Sequence, residues 1–256
     1  LGGIPVVFPD YDSWSFEGGA VLAHRSVSAP VTAALSQHPT LYEWAARQPG
    51  RDVFHGRGEA YGVTLGKARV VVRHARRGGA LAGLLGDRYI GAPRFVREID
   101  IANRLTNAGV APPRVLVGVK YPSLLVHRAD VATERVDGTD LFTLFFGANP
   151  PRGEPRREIF RAVGTLVRKL HNAGFVHPDL QLRNVLVSTA ASRLPPAAWL
   201  LDVDTCRPIS PKDDGARRTN LARFERSFHK WNALEGTHLT DDDLAAFMDC
   251  YHERPA

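Results

Sequence analysis

The chain has 256 residues, 44% hydrophobic and 23% charged, with a net charge of +6. That is the composition of a globular chain long enough for one large domain or two lobes, with no apolar run near the ~20 residues of a membrane span. Two cysteines exclude a disulfide framework, and the basic excess suits nucleic acid, nucleotides or an anionic membrane surface as well as plain solubility.

The chain begins at Leu1, so its true start is expected upstream, and no signal-peptide pattern is visible. Residues 1–50 read as an extension of open role. Ile4–Phe8 and Ala20–His24 are strand candidates, and Val31–Leu35 and Leu41–Arg47 are short helices, the second capped by Thr40 with Glu43 three residues on. From Phe54 to His74, Gly56, Gly58 and Gly62 form a glycine-rich turn. A dinucleotide fold would need a helix after such glycines. Val63–Leu65 and Arg69–His74 are β-branched and short, so a strand hairpin is expected, whose bare backbone N–H groups can approach phosphates. Strand alternation puts Val71 and Arg73 on one face. Arg76–Ile90 carries a basic doublet and a Gly pair and reads as a loop or short helix, either touching phosphates or a membrane or simply solvated.

Pro93–Gly109 is a helix whose apolar stripe is Phe95, Ile99, Ala102 and Leu105. At roughly 100° per residue Glu98 falls inside that stripe, where a carboxylate is costly without a partner, unless it reaches solvent at the edge. Strands follow at Val115–Val119, Leu124–His127 and Thr133–Val136, then a turn at Asp137-Gly138 and a helix at Leu141–Phe146. After a proline-rich connector, Glu154–Gly174 is the clearest helix, with Ile159, Phe160, Val163, Leu166, Val167 and Leu170 inward and Gly174 as its stop.

That helix leads into Leu170–Cys206, the centre of the chain. Here His177, Asp179 and Asn184 stand in the order His-x-Asp-Leu-x-x-x-Asn, and an apolar run, Trp199–Leu201, ends at Asp202. Phosphoryl transfer needs one carboxylate to orient a hydroxyl, and an Asn and a second carboxylate to hold metal ions; this order and spacing fit that need. A helix from about Thr219 to Leu234 carries Leu221, Phe224, Phe228 and Trp231. A last helix is capped by Thr240, with Asp241, Asp242 and Asp243 complementing its dipole.

The central stretch resembles the catalytic loop and metal-binding Asp of the protein-kinase-like superfamily. The resemblance implies Asp179 as catalytic base, Asn184 and Asp202 as metal ligands, and Gly56, Gly58 and Gly62 over the nucleotide phosphates. It puts Arg73 at the phosphate-binding Lys position and Glu98 as its ion-pair partner. Asp202-Val203-Asp204 lacks the Phe and Gly of the kinase motif, and no Ala-Pro-Glu segment is present. An aminoglycoside-phosphotransferase-like enzyme or a nucleotide-binding pseudokinase are the competing readings.

Several segments are more specific. Val70–Gly79, Asp87–Ile90, Arg94–Leu105, Glu134–Leu141, His177–Val187, Leu200–Cys206 and Asn220–Lys230 together resemble the lipopolysaccharide kinase family, closest to kinases of 3-deoxy-D-manno-octulosonic acid (Kdo). The resemblance implies an α+β, small bilobal kinase-like fold. Residues 51–138 would form an N-lobe with an antiparallel sheet and one key helix, and residues 139–256 a reduced, mainly helical C-lobe. It implies ATP and Mg²⁺ as cofactors and a lipid-anchored, Kdo-containing glycolipid as acceptor. It also implies peripheral attachment to the anionic cytoplasmic face of the bacterial inner membrane, and no nucleic-acid partner.

Overall fold

The computed structural model describes residues 8–17, 19–55, 58–74, 94–121, 128–188, 196–210, 212–236 and 238–253. The strands expected at Ile4–Phe8 (Phe8 apart) and Leu124–His127, the residue Gly56 and the segment Arg76–Ile90 lie outside the described residues. The chain forms two compact units: residues 1–100 with 114–135, and residues 101–113 with 136–256.

The first unit contains β1 (Tyr11–Phe16), β2 (Gly19–His24), α1 (Ser28–Gln37), α2 (Leu41–Ala46), β3 (Asp52–His55), β4 (Glu59–Leu65), β5 (Ala68–His74), the start of α3 (Arg94–Asn107), β6 (Val115–Tyr121) and β7 (Arg128–Glu134). Its seven strands form one antiparallel sheet in the order β1-β2-β6-β7-β5-β4-β3. Residues before 51 are therefore built into this unit. Val21, Val27, Val31, Leu41 and Trp44 share a buried cluster with Val63, Val70, Val72 and Val117. Burial of such apolar side chains is the main stabilising term, about 1.5–3 kcal/mol each. One polar centre fixes α2 on the sheet. Fully buried Asp130 accepts from the Tyr42 N–H (2.8 Å) and the Tyr121 hydroxyl (2.7 Å), and meets His74 Nδ1 at 2.6 Å. A buried carboxylate survives only with such partners. Burial, with Asp130 beside it, pushes the Tyr121 hydroxyl pKa far above its ordinary value.

The opposite face of the sheet takes α3. Gly118, Val131 and Arg73 are register partners and so point the same way. A Cβ on Gly118 would come within 2.2 Å of the Phe95 ring, so only glycine lets α3 lie this close. The stripe residues Phe95, Ile99, Ala102 and Leu105 are buried, and Glu98 is buried among them.

The second unit contains the rest of α3, β8 (Thr139–Asp140), α4 (Leu141–Phe146), α5 (Gly153–Asn172), β9 (Phe175–Val176), β10 (Val185–Val187), β11 (Ala198–Leu200), β12 (Arg207–Pro208), α6 (Asp214–Glu235) and α7 (Asp241–His252). All six expected stripe residues of α5 are buried. Gly174 has φ +76°, the left-handed stop that glycine adopts without strain. Phe145 stacks on Phe160, and Phe224 on Phe247, with ring centroids 4.9 and 4.8 Å apart. α6 starts at Asp214, earlier than the expected Thr219, because Asp213 caps it by accepting from the Ala216 N–H at 2.9 Å. Its buried residues are Asn220, Phe224, Ser227 and Phe228, so half of the inward face is polar. In α7, buried Asp243 accepts from the Thr240 N–H (2.7 Å) and from Arg156 Nε (2.6 Å). Among the described residues no helix is long and apolar enough to cross a membrane.

Candidate active site

The second unit brings Asp179, Asn184 and Asp202 together. β10 and β11 pair with Val185 opposite Leu200, and the Leu201 N–H then donates to the Asn184 carbonyl at 2.9 Å. The strand pair thus sets Asn184 beside the residue that precedes Asp202. Asp202 has φ 51° and ψ 39°, a left-handed conformation unusual for a non-glycine residue. It costs about 1 kcal/mol and is tolerated best by Asp and Asn. The Thr205 N–H (3.2 Å) and hydroxyl (3.0 Å) donate to its carbonyl and hold it there. The exposed Asp202 carboxylate makes no hydrogen bond or ion pair among the described residues.

Asn184 is buried and fixed from one side. Its Nδ2 donates to the Asp179 carbonyl (2.8 Å) and to Asp179 Oδ2 (3.2 Å). Its amide oxygen is thereby turned away from Asp179, with no hydrogen bond among the described residues. Mg²⁺ takes oxygen ligands and is commonly bound by one or two protein groups, substrate phosphates and waters. The Asn184 oxygen and the Asp202 carboxylate are that kind of donor set. No group of three or more His, Cys, Asp or Glu side chains able to hold a metal occurs among the described residues.

The Asp179 carboxylate is held through both oxygens. Gln181 Nε2 donates to Oδ2 at 2.9 Å, and Arg223 Nη2 donates to Oδ1 at 2.6 Å. The loop around it is clamped by α6. Asn220 Oδ1 accepts from the His177 N–H (3.1 Å), and Asn220 Nδ2 donates to the His177 carbonyl (2.5 Å). Ser227 Oγ accepts from the Leu182 N–H at 3.2 Å. Asn220, Arg223 and Ser227 are spaced at three and four, so one helix face supplies all three. Arg183 lies over the rings of Phe142 and Trp231, at 3.6 and 4.8 Å from their centroids.

Two buried histidines support this loop as neutral rings. His177 Nε2 donates to the Leu201 carbonyl at 2.9 Å, joining the two halves of the site. The carbonyl can only accept, so the proton is on Nε2, and buried Nδ1 has no hydrogen-bond partner among the described residues. Burial lowers its pKa; the Leu201 bond and the nearby carboxylates, Asp202 foremost, oppose that only in part. His171 Nε2 donates to Asn220 Oδ1 at 3.0 Å, and its Nδ1 accepts from the Tyr251 hydroxyl at 2.8 Å. Burial is again the main cause of its lowered pKa.

In the first unit, Arg73 Nη2 meets Glu98 Oε1 at 2.6 Å, the ion pair expected from the stripe position of Glu98. Glu98 is 5% exposed, and its burial among apolar residues makes this partner necessary. Gly58 lies beside the β3–β4 hairpin. Gly62 corrects the sequence reading: it is not in the turn but inside β4, paired with Asp52 and Val71. There a Cβ would crowd Phe54, Arg135 and Asp52, at 3.0 to 3.3 Å, so its lack of a side chain serves packing. Sequence reading missed the roles of Asn220, Arg223 and Ser227. The signal was polar residues recurring at helical spacing among Phe224 and Phe228.

The family model described as the lipopolysaccharide kinase (Kdo/WaaP) family matches residues 44–251. A 3-deoxy-D-manno-octulosonic acid kinase of Vibrio vulnificus is 29% identical over 216 residues, covering 82% of this chain and 86% of its own. A kinase of the same name from Actinobacillus succinogenes is 33% identical over 195 residues, covering 74% of this chain and 78% of its own. The solved structure of WaaP in complex with acyl carrier protein is similar with a TM-score of 0.55 at 21% identity, covering 84% of this chain and 83% of that one. At that identity the likeness speaks to fold, and the fold is the kinase-like α+β type. Family model and relatives together make this protein a phosphotransferase with a hydroxyl acceptor, and the chain belongs to the lipopolysaccharide kinase (Kdo/WaaP) family.

Proposed function

We propose that this enzyme transfers the γ-phosphate of ATP to a hydroxyl of Kdo in a lipid A–Kdo precursor of lipopolysaccharide. The observation that carries the reading is the lock between Asp179 and Asn184. One amide holds the base candidate with its nitrogen, and the backbone of the same residue is bonded to Leu201, the neighbour of Asp202. In this reading Asp179 accepts the proton of the acceptor hydroxyl as its oxygen attacks the γ-phosphorus. The new O–P bond forms as the bond to the β–γ bridging oxygen breaks, and ADP leaves. Asn184 and Asp202 would hold Mg²⁺, which when bound would spread the charge of the transferring phosphoryl group. Arg73, positioned by Glu98, pairs with nucleotide phosphates, and the glycines of the sequence pattern, Gly58 among them, would leave backbone N–H groups open to the same phosphates. Arg is longer than Lys and can engage a phosphate and a carboxylate at once, which suits a residue that already holds Glu98.

The acceptor is anionic and lipid-anchored, and the net charge of +6 supports peripheral contact with an anionic membrane face. The test is incubation of purified protein with ATP, Mg²⁺ and a Kdo-bearing lipid A precursor, read by mass. One added phosphate with wild type, and none with Asp179→Ala, is expected. Equal transfer by Asp179→Ala removes the base assignment. Binding of Mg–ATP without transfer moves the acceptor to another hydroxylated molecule.

A further inference from the structure

The Arg223–Asp179 contact is more than a brace. Arg223 Nη2 sits 2.6 Å from Asp179 Oδ1, and its side chain is 38% exposed. It makes no other hydrogen bond or ion pair among the described residues. Gln181 and Asn184 already hold the other carboxylate oxygen, so orientation of Asp179 alone does not require a guanidinium. A guanidinium has five N–H donors in a planar fork that matches a carboxylate. An anionic acceptor must also approach an anionic base, and two like charges a few ångströms apart repel.

We infer that Arg223 binds the carboxylate of the acceptor sugar acid with the edge of its guanidinium that Asp179 does not use. This rests on the acceptor reading above and names the group that selects the acceptor. A hydroxyl donating to Asp179 Oδ1 lies within about 3 Å of it. The sugar bearing that hydroxyl is then beside Arg223, and in Kdo the same sugar carries the carboxylate. One cation thus links base and substrate, so the hydroxyl is presented to Asp179 only when the neighbouring carboxylate is seated. The phosphates of the lipid A portion, on other sugars, are the second source of anionic groups, and the test separates the two.

The experiment measures kcat and KM for wild type, Arg223→Gln, Arg223→Lys and Arg226→Gln. Arg226→Gln removes the same charge from an exposed position one turn along α6. Three acceptors are used: the Kdo-bearing lipid A precursor, the same molecule with the Kdo carboxylate converted to a carboxamide, and the same molecule stripped of lipid A phosphates. Wild type is expected to prefer carboxylate over carboxamide by about 20-fold or more in kcat/KM, and Arg223→Gln to shrink that ratio below about threefold. Arg223→Lys keeps the charge but not the fork and recovers part of the preference; Arg226→Gln keeps all of it. Heat titration of the carboxylate and carboxamide acceptors, without nucleotide, is expected to give the same ranking in affinity. A purely positioning Arg223 would instead lower kcat equally on both acceptors and leave the ratio intact, which overturns the inference. So does a preference that follows the lipid A phosphates. In either case wild-type transfer to the parent acceptor stands as its own result, so the acceptor reading is judged separately.

Discussion

Replacing Asn220 by Ala tests whether α6 holds the loop that carries Asp179. Asn220 is 4% exposed and makes three hydrogen bonds. It accepts from the His177 N–H (3.1 Å) and His171 Nε2 (3.0 Å), and donates to the His177 carbonyl (2.5 Å). Truncation leaves two buried donors and one buried acceptor without partners. Each orphaned group costs about 1–3 kcal/mol, and water entering the vacated space recovers part of that. A net loss of about 3 kcal/mol is expected, a large share of a typical stability of about 5–15 kcal/mol. Urea denaturation should show a lower midpoint at unchanged m-value. Native-state hydrogen exchange should show the His177 amide losing protection in the folded variant. Because His177 is two residues before Asp179, turnover at low temperature should fall about tenfold or more. A stability loss below about 1 kcal/mol with a protected His177 amide would refute the clamp.

Three further outcomes are expected. Gly164→Ala places a Cβ 2.1 Å from the Phe247 carbonyl oxygen and 3.2 Å from the Tyr251 nitrogen. Backbone atoms of α7 cannot give way, so α5 and α7 must separate at a cost of about 2 kcal/mol, a fall in Tm of about 5 °C by calorimetry; an unchanged Tm contradicts that packing. His171 has a lowered pKa in the folded state against 6.5 ordinarily, so below pH 6.5 the unfolded chain binds the extra proton first. Its contribution is whole above about pH 6.5 and is lost as pH falls from there toward the folded pKa, by up to about 1.4 kcal/mol per pH unit. Urea midpoints at pH 7.5 and 5.5 should therefore diverge more for wild type than for His171→Gln, and equal divergence removes this histidine from the acid response. Glu98→Gln should weaken ATP binding by about threefold to tenfold while changing stability by about 1 kcal/mol, since Arg73 is partly solvent-screened; unchanged affinity in a titration detaches the pair from the nucleotide.

The parts legible in the sequence were those where one rule dominates. The α5 stripe follows apolar periodicity, and Glu98 drew attention because a carboxylate inside such a stripe must be paired. The Asp179-to-Asn184 spacing was readable as a loop that brings the two side chains together, and Asn184 Nδ2 does bond Asp179. Other parts depended on partners distant in the chain. Tyr11–Phe16 reads as polar because it is an edge strand with alternate residues in solvent. The first fifty residues offer no motif to read, and their place follows from Tyr42 meeting Asp130, 88 residues on. Asn220 and Arg223 were invisible to a search for apolar faces, since they face inward to meet polar backbone and a carboxylate. Gly62 looked like part of a phosphate-binding turn because glycine spacing does not distinguish a turn from a crowded strand.

The most direct measurement is calorimetric titration of Mg–ATP into wild type, Asp179→Ala and Asp202→Ala, with phosphate transfer followed on the same samples. The division of roles predicts that Asp202→Ala weakens binding about tenfold or more. Asp179→Ala should bind within about twofold of wild type yet transfer nothing. Wild-type affinity in Asp202→Ala, or normal transfer by Asp179→Ala, would contradict it.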